Sequence, residues 1–312
     1  MKTAPLNIVF MGTPDFAVPS LEALAESQHN VVAVVTVPDK QQGRGRKMQP
    51  SAVKRSAAEH DIPVLQPEKL RDPAFIQDLE AFAPDLMVVV AFRILPEVIF
   101  NLPSLGTFNL HASLLPRYRG AAPIHWALLN GDDQTGVTTF FLQKKVDTGN
   151  IIQQKATDIE REDNLASLYE KLRQLGASLV VETVDLIAQG KADPSAQNDQ
   201  LASPAPKVDT DTRTLNFNES ATQCLNRIRA FAPRPGAFTT RNGKMLKILK
   251  ARVVEAGGHP GAVHTPDHGS FTVFCSEDAL DVLEVQPESK RSMSAEAYLQ
   301  GHPFNDGDVL GD

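Results

Sequence analysis

Along the first half of the chain, short runs that are apolar at every position alternate with stretches whose apolar residues recur every three or four positions. Leu6 to Met11, Val31 to Val37, Leu86 to Ala91 and Thr107 to Leu110 read as strands, and the segments between them as helices. Runs such as Val31-Val32-Ala33-Val34-Val35 have no polar side, as a parallel strand covered by helices on both faces requires. The expected fold is therefore α/β, a Rossmann-like domain around a central, mostly parallel sheet. Between 165 and 187 the leucines at 165, 168, 172, 175 and 179 step by three and four, and Val184 and Ile187 follow five and then three positions further on. That is the period of a helix with one buried stripe, and this helix is expected to close a first domain over residues 1–189.

The pattern then breaks. From Gly190 to Lys207 the chain is polar and rich in alanine and proline, with neither period, so residues 190–208 are expected to be a linker. A helical pattern around 219–231 follows. Beyond it come short β-like runs, Ala237 to Thr240, Met245 to Val254 and Ser270 to Cys275, punctuated by glycine and proline. A smaller C-terminal β-barrel domain is expected over 209–312.

A length of 312 residues suits two domains. The longest apolar run, Leu86 to Phe92, has 7 residues, against roughly 20 for a bilayer-spanning helix, so no membrane segment is expected. The run Ile8 to Met11 is too short for a secretory signal. Cys224 and Cys275 sit in no C-x-x-C spacing, which indicates neither a disulfide framework nor a thiolate zinc site. A cytoplasmic protein is the expectation. The net charge of −7 excludes a uniformly basic nucleic-acid coat, but it hides an asymmetry. Residues 40–58 carry 6 basic side chains and no acid, residues 220–254 carry 8 and no acid, and residues 255–312 carry 11 acids and 2 bases. Each basic stretch is either a solvated surface or a phosphate-binding one.

Gly12-Thr13-Pro14-Asp15 follows the first strand where a dinucleotide-binding fold needs three glycines, but it has one, and no P-loop occurs. NAD and ATP are not suggested. His264 and His268 are spaced i, i+4 but lie among Gly, Pro and Asp, where a helix is not expected. No metal site is expected. Asn109 and His111, two apart on a strand, project from one face. They are either a satisfied core pair or the edge of a ligand crevice. An amide N–H can stabilise an oxygen that gains negative charge, and an imidazole can exchange a proton near neutral pH, the two needs of acyl transfer. Asp147, in Val146-Asp147-Thr148-Gly149, is either a turn former or the carboxylate that completes the set.

In order and spacing, Asn109-Leu110-His111, Ser113-Leu114-Leu115-Pro116, Tyr118-Arg119-Gly120-Ala121-Ala122-Pro123 and Asp147-Thr148-Gly149 resemble the signature of the 10-formyltetrahydrofolate-dependent formyltransferases. The likeness extends to Met11-Gly12-Thr13-Pro14-Asp15-Phe16-Ala17, to Gly43-Arg44-Gly45-Arg46-Lys47 and to a C-terminal domain beyond a linker. In one place the chain departs: Ala91-Phe92-Arg93-Ile94-Leu95-Pro96 is a residue shorter than the family's A-Y-G-x-I-L-P, a segment that lines the pterin pocket in relatives. The resemblance implies 10-formyltetrahydrofolate as formyl donor, the α-amine of methionyl initiator tRNA as acceptor, and a role in translation initiation. It also implies roles for individual residues. Asn109 would bond the oxyanion, His111 would manage the proton and Asp147 would orient His111. Ser113, Leu114, Leu115 and Pro116 would form the folate wall. Arg44, Arg46 and Lys47 would lie on the acceptor stem, and an OB-like C-terminal domain would add tRNA contacts. No metal and no membrane are implied, and a monomer is expected. A formyltransferase for glycinamide ribonucleotide or an amino-sugar nucleotide would share the catalytic motif but has no need of the basic loop or second domain. An RNA-binding protein without activity would not need Asn109, His111 and Asp147, and all three are present.

Overall fold

Asn7–Gly12, Asn30–Val35, Val64–Leu65, Leu86–Val90 and Thr107–His111 are strands and pair in parallel. The computed structural model describes residues 4–42, 47–265, 269–305 and 307–311. Across the sheet the order is 151–158, 134–141, 107–111, 86–90, 7–12, 30–35, 64–65. Gln134–Phe141 pairs antiparallel with Thr107–His111, and Ile151–Asp158 is the edge beyond it. Every residue of Leu86–Val90 is buried. On one face Val9, Met11, Ala33, Val35, Met87 and Val89 join Leu79, Leu95 and Ile99 in a single core. The alternate residues Ile8, Phe10, Val34, Leu86 and Val88 are fully buried too, because successive side chains of a strand point to opposite faces. The lack of polar alternation in the sequence is thus the mark of a sheet with neither face wet.

The chain enters at 7–12, runs outward through 30–35 to 64–65, then returns to the other side of 7–12 for 86–90 and 107–111. A reversal of this kind opens a crevice at the carboxyl ends of the strands. Here those ends are Gly12, Val90 and His111. A Cβ on Gly12 would stand 2.8 Å from the Ala17 Cβ and 3.1 Å from the Val90 oxygen, so only glycine lets the 13–17 loop fold back over the strand end. Ser51 caps Ala52–Glu59 and Asp72 caps Pro73–Ala81, each accepting a hydrogen bond from a first-turn backbone N–H. The long helix forms over Leu165–Ala188.

Residues cluster into two compact units: Met1–Gly120, Thr135–Asp158 and Tyr169–Ala205 in one; Ala121–Gln134, Ile159–Leu168 and Pro206–Asp312 in the other. The stretch expected to be a linker is in large part tied to the first unit. Ser195 and Ile151 exchange both backbone hydrogen bonds, at 2.8 and 2.9 Å, and Pro204–Ala205 pairs in parallel with Arg119–Gly120. Composition reports the lack of an apolar face. It does not report pairing with an edge strand, where unused N–H and C=O groups order any backbone that can reach them.

In the second unit a capping box formed by Ser220 and Gln223 starts Ala221–Phe231, which packs on Pro123–Leu129. Five strands run in the order 237–241, 244–254, 279–287, 271–274, 263–264, with 293–294 also pairing 279–287. All of these pairings are antiparallel, making a small curled, barrel-like sheet. Asn242 and Gly243 turn its first hairpin with φ of 52° and 69°, the left-handed pair that matches strand twist in a two-residue turn. Among the described residues, no helix is long and apolar enough to cross a membrane.

Candidate active site

Asn109 lies in register between Val89 and Phe140, and it is the one residue of Thr107–His111 that is not buried. Its side chain makes no hydrogen bond among the described residues, so it is not a satisfied core amide. His111 is buried, and its Nε2 stands 2.8 Å from the Tyr118 carbonyl oxygen. A carbonyl only accepts, so Nε2 carries the hydrogen and donates it. That leaves Nδ1 as the nitrogen able to take up a proton, and it faces the Asp147 carboxylate, 3.9 Å from Oδ2.

Asp147 forms a turn and also brings its carboxylate to His111. Its φ is 54°, a region short polar residues tolerate at turns. Its Oδ2 accepts the Gly120 N–H at 2.9 Å. The Tyr118 carbonyl is thus the group hydrogen-bonded to the imidazole, and the Asp147 carboxylate stands beyond hydrogen-bond distance of Nδ1. A Cβ on Gly149 would lie 1.7 Å from the Phe141 oxygen. Gly149→Ala must push the turn off the strand, and we expect kcat to fall by about 100-fold, the cost of misplacing a site group by an ångström. Steady-state kinetics together with a melting curve on the same sample check this. Unchanged kcat would show that the turn does not set the site.

The 113–116 segment hangs on Thr138, which faces His111 across the strand pair. Thr138 Oγ1 donates to the Ser113 oxygen at 2.6 Å and accepts from the Leu115 N–H at 3.1 Å and from Gln154 Nε2 at 2.9 Å. Ser113 is fully buried and its hydroxyl donates to the Arg117 carbonyl at 2.6 Å. Leu115 is buried, so partly exposed Leu114 and Pro116 are the members that offer surface. In the shortened 91–96 segment, Arg93 donates to the carbonyls of Glu68 and Pro67 at 3.1 and 2.9 Å. Burial holds its guanidinium pKa below the usual value. Leu95 fills the core and Ile94 is 78% exposed.

Lys47 is exposed on a hairpin of Lys40–Gln42 with Lys47–Gln49. Arg44 and Arg46 lie outside the described residues. Lys54, in the same basic run, donates to both Asp39 oxygens and to Gln66 Oε1 at 2.7–3.0 Å. The bonds from Lys54 and Gln66 hold the Asp39 carboxyl below the usual carboxylate range. This network pins the base of the hairpin and spends the Lys54 ammonium on Asp39 and Gln66. The sequence reading missed the Tyr118 carbonyl, the Gly120 N–H, Thr138 and Gln154. Only the first two fall inside a quoted motif, and as backbone groups they leave no residue signal.

Residues 6–184 match the formyl transferase family model, and residues 207–303 match the model of the formyl transferase C-terminal domain. The chain belongs to the formyl transferase family. It is 47% identical over 315 residues to the methionyl-tRNA formyltransferase of Parabacteroides distasonis, with 96% of this chain and 97% of that one covered. It is 42% identical over 306 residues to the protein of that name in Pelobacter propionicus, with 98% and 96% covered. Among solved structures, its fold is similar to the Helicobacter canadensis N-formyltransferase in complex with folinic acid and dTDP-3-aminofucose. There the TM-score is 0.68 and the identity 20%, with 90% of this chain and 99% of that one covered. It is also similar to HypX of Aquifex aeolicus in complex with tetrahydrofolic acid, at TM-score 0.65 and 17% identity. That match covers 98% of this chain but only 50% of HypX.

Proposed function

We propose that this chain transfers the formyl group of 10-formyltetrahydrofolate to the α-amine of methionyl initiator tRNA, and that Asn109, His111 and Asp147 carry the reaction. The observation that carries the reading is an amide unpaired among the described residues and, two positions on along the same strand end, a histidine ring nitrogen with a carboxylate 3.9 Å away. The neutral amine attacks the formyl carbon, and a C–N bond forms while the carbonyl π pair moves to oxygen. The Asn109 N–H donates to that oxyanion. His111 Nδ1 takes the proton the amine sheds and returns it to the folate nitrogen as the old C–N bond breaks. Asp147 favours the charged ring during the interval. No protein nucleophile takes part, since the Ser113 hydroxyl is spent on Arg117 and Thr138 is saturated.

The basic residues divide by what they touch. Arg227, Arg229, Arg241 and Arg252 are engaged within the second unit. Lys40, Lys47, Arg234, Lys244, Lys247 and Lys250 have no protein partner among the described residues. These six, with Arg44 and Arg46, are the cations we assign to phosphate contact. One chain carries the three residues assigned to the reaction, which supports a monomer, and a charged tRNA substrate supports a cytoplasmic enzyme. Lys47→Ala should weaken Met-tRNA binding and flatten the log Kd against log salt plot by about 0.7–0.9 per lost contact. An unchanged slope would take the hairpin off the phosphates.

The assignment is tested by offering 10-formyltetrahydrofolate with charged initiator tRNA, charged elongator tRNA, glycinamide ribonucleotide and an amino-sugar nucleotide in parallel. Product on the initiator alone is expected. Preferred formylation of a small amine would overturn the reading.

A further inference from the structure

The Asp147–Gly149 turn is held from outside the signature. Gln197 lies in the breaker-rich stretch, among neighbours that are mostly exposed, yet it is itself partly buried. Its Nε2 donates to the Asp147 carbonyl at 3.0 Å and to the Gly149 carbonyl at 2.8 Å. Its Oε1 accepts from Arg119 Nε at 3.0 Å and Nη2 at 2.6 Å. Both amide hydrogens meet groups that only accept, and both oxygen lone pairs meet a group that only donates, so the carboxamide is saturated in a single orientation. Arg119 is fixed in turn, since its Nη2 meets Asp199 Oδ1 at 2.7 Å and its backbone N–H donates to the Ser203 carbonyl at 2.9 Å.

The same backbone that carries Arg119 supplies the Gly120 N–H to the Asp147 carboxylate. Two segments distant in sequence, 118–120 and 147–149, are therefore clasped by one side chain. The clasped turn is one that needs holding, because Asp147 sits at positive φ and its carboxylate, 3.9 Å from Nδ1, makes no hydrogen bond to the ring. With no direct hydrogen bond to fix that distance, the backbone must fix it.

The geometry points to Gln197 as a positioning residue for formyl transfer, which clamps the Asp147 turn with Arg119 as its anchor. This rests on the formyl-transfer reading above. Gln197 touches neither the imidazole nor the reacting atoms; it acts through Asp147. Gln197→Ala should lower kcat by about 10- to 100-fold, with KM for tRNA and for donor within about two-fold of wild type. Gln197→Glu keeps the shape but faces two carbonyls with an acceptor, so it should lose at least as much. A residue that merely packed would tolerate the isostere. Arg119→Lys, which cannot offer the guanidinium fork, should show the same kind of loss with Gln197 left in place. It therefore tests the clamp even if a Gln197 variant fails to fold.

The deciding measurement is the double-mutant cycle. In an Asp147→Asn background, Gln197→Ala should cost less than about two-fold in kcat, because the group it positions is already gone. Equal losses in both backgrounds, a wild-type kcat for Gln197→Glu, or an effect confined to KM for tRNA would each overturn the proposal. If instead the wild-type enzyme failed to formylate Met-tRNA, the underlying reading would fall before any Gln197 variant was measured.

Discussion

Asn109→Ala should reduce kcat by about 10²- to 10³-fold, the range observed when one oxyanion donor is removed, and leave Met-tRNA binding intact. The magnitude follows from where the amide sits. It is the only partly exposed residue of its strand, and its donor is not spent on any described neighbour, so it is available to the oxygen at no cost in broken protein bonds. Asn109→Asp should be worse than alanine, because it removes the donor and places negative charge where negative charge must form. Single-turnover formylation at saturating donor, with filter binding of Met-tRNA in parallel, separates the two quantities. Wild-type turnover in either variant would remove Asn109 from the mechanism. Equal losses in binding and turnover would make it a binding residue.

His111→Ala is the second large effect, a loss of about 10²- to 10⁴-fold in kcat as expected for a group that moves a proton in the transition state. The Nε2 hydrogen is held by Tyr118 at 2.8 Å, so the ring cannot turn to present the other nitrogen without breaking that bond. His111→Gln should not rescue, since an amide nitrogen cannot take up the proton. Asn109 and His111 serve one transition state. The double variant should accordingly lose much less than the product of the two single losses. Full multiplicativity would show that the two residues act in different steps.

How much of this was legible in the sequence differs by kind of interaction. The parallel strands and the long helix could be read because burial on both faces of a sheet, or along one stripe of a helix, leaves a periodic mark over many residues. Asn109 and His111 could be read as a pair because the alternation of a strand places them on one face. The partners that hold them could not. Gln197 is 50 residues from Asp147 and Gln154 is 39 from Leu115, and one hydrogen bond between distant residues leaves no period. Basic runs were legible as charge but not as availability. Lys54 and Lys47 look alike in the sequence, yet Lys54 braces the base of the hairpin through Asp39 and Gln66 while Lys47 stands exposed. The stretch over 190–208 shows the same limit, because an order made of backbone pairing and saturated amides has no apolar signature.

The central claim is that the formyl carbon passes straight from one nitrogen to the other between Asn109, His111 and Asp147. Rapid quench with a donor carrying an isotopic label in the formyl group tests it most directly. Loss of labelled donor and appearance of labelled Met-tRNA should coincide in time, with no label on the protein at any point. Label on the polypeptide before product, or donor consumed when no acceptor is present, would contradict the account.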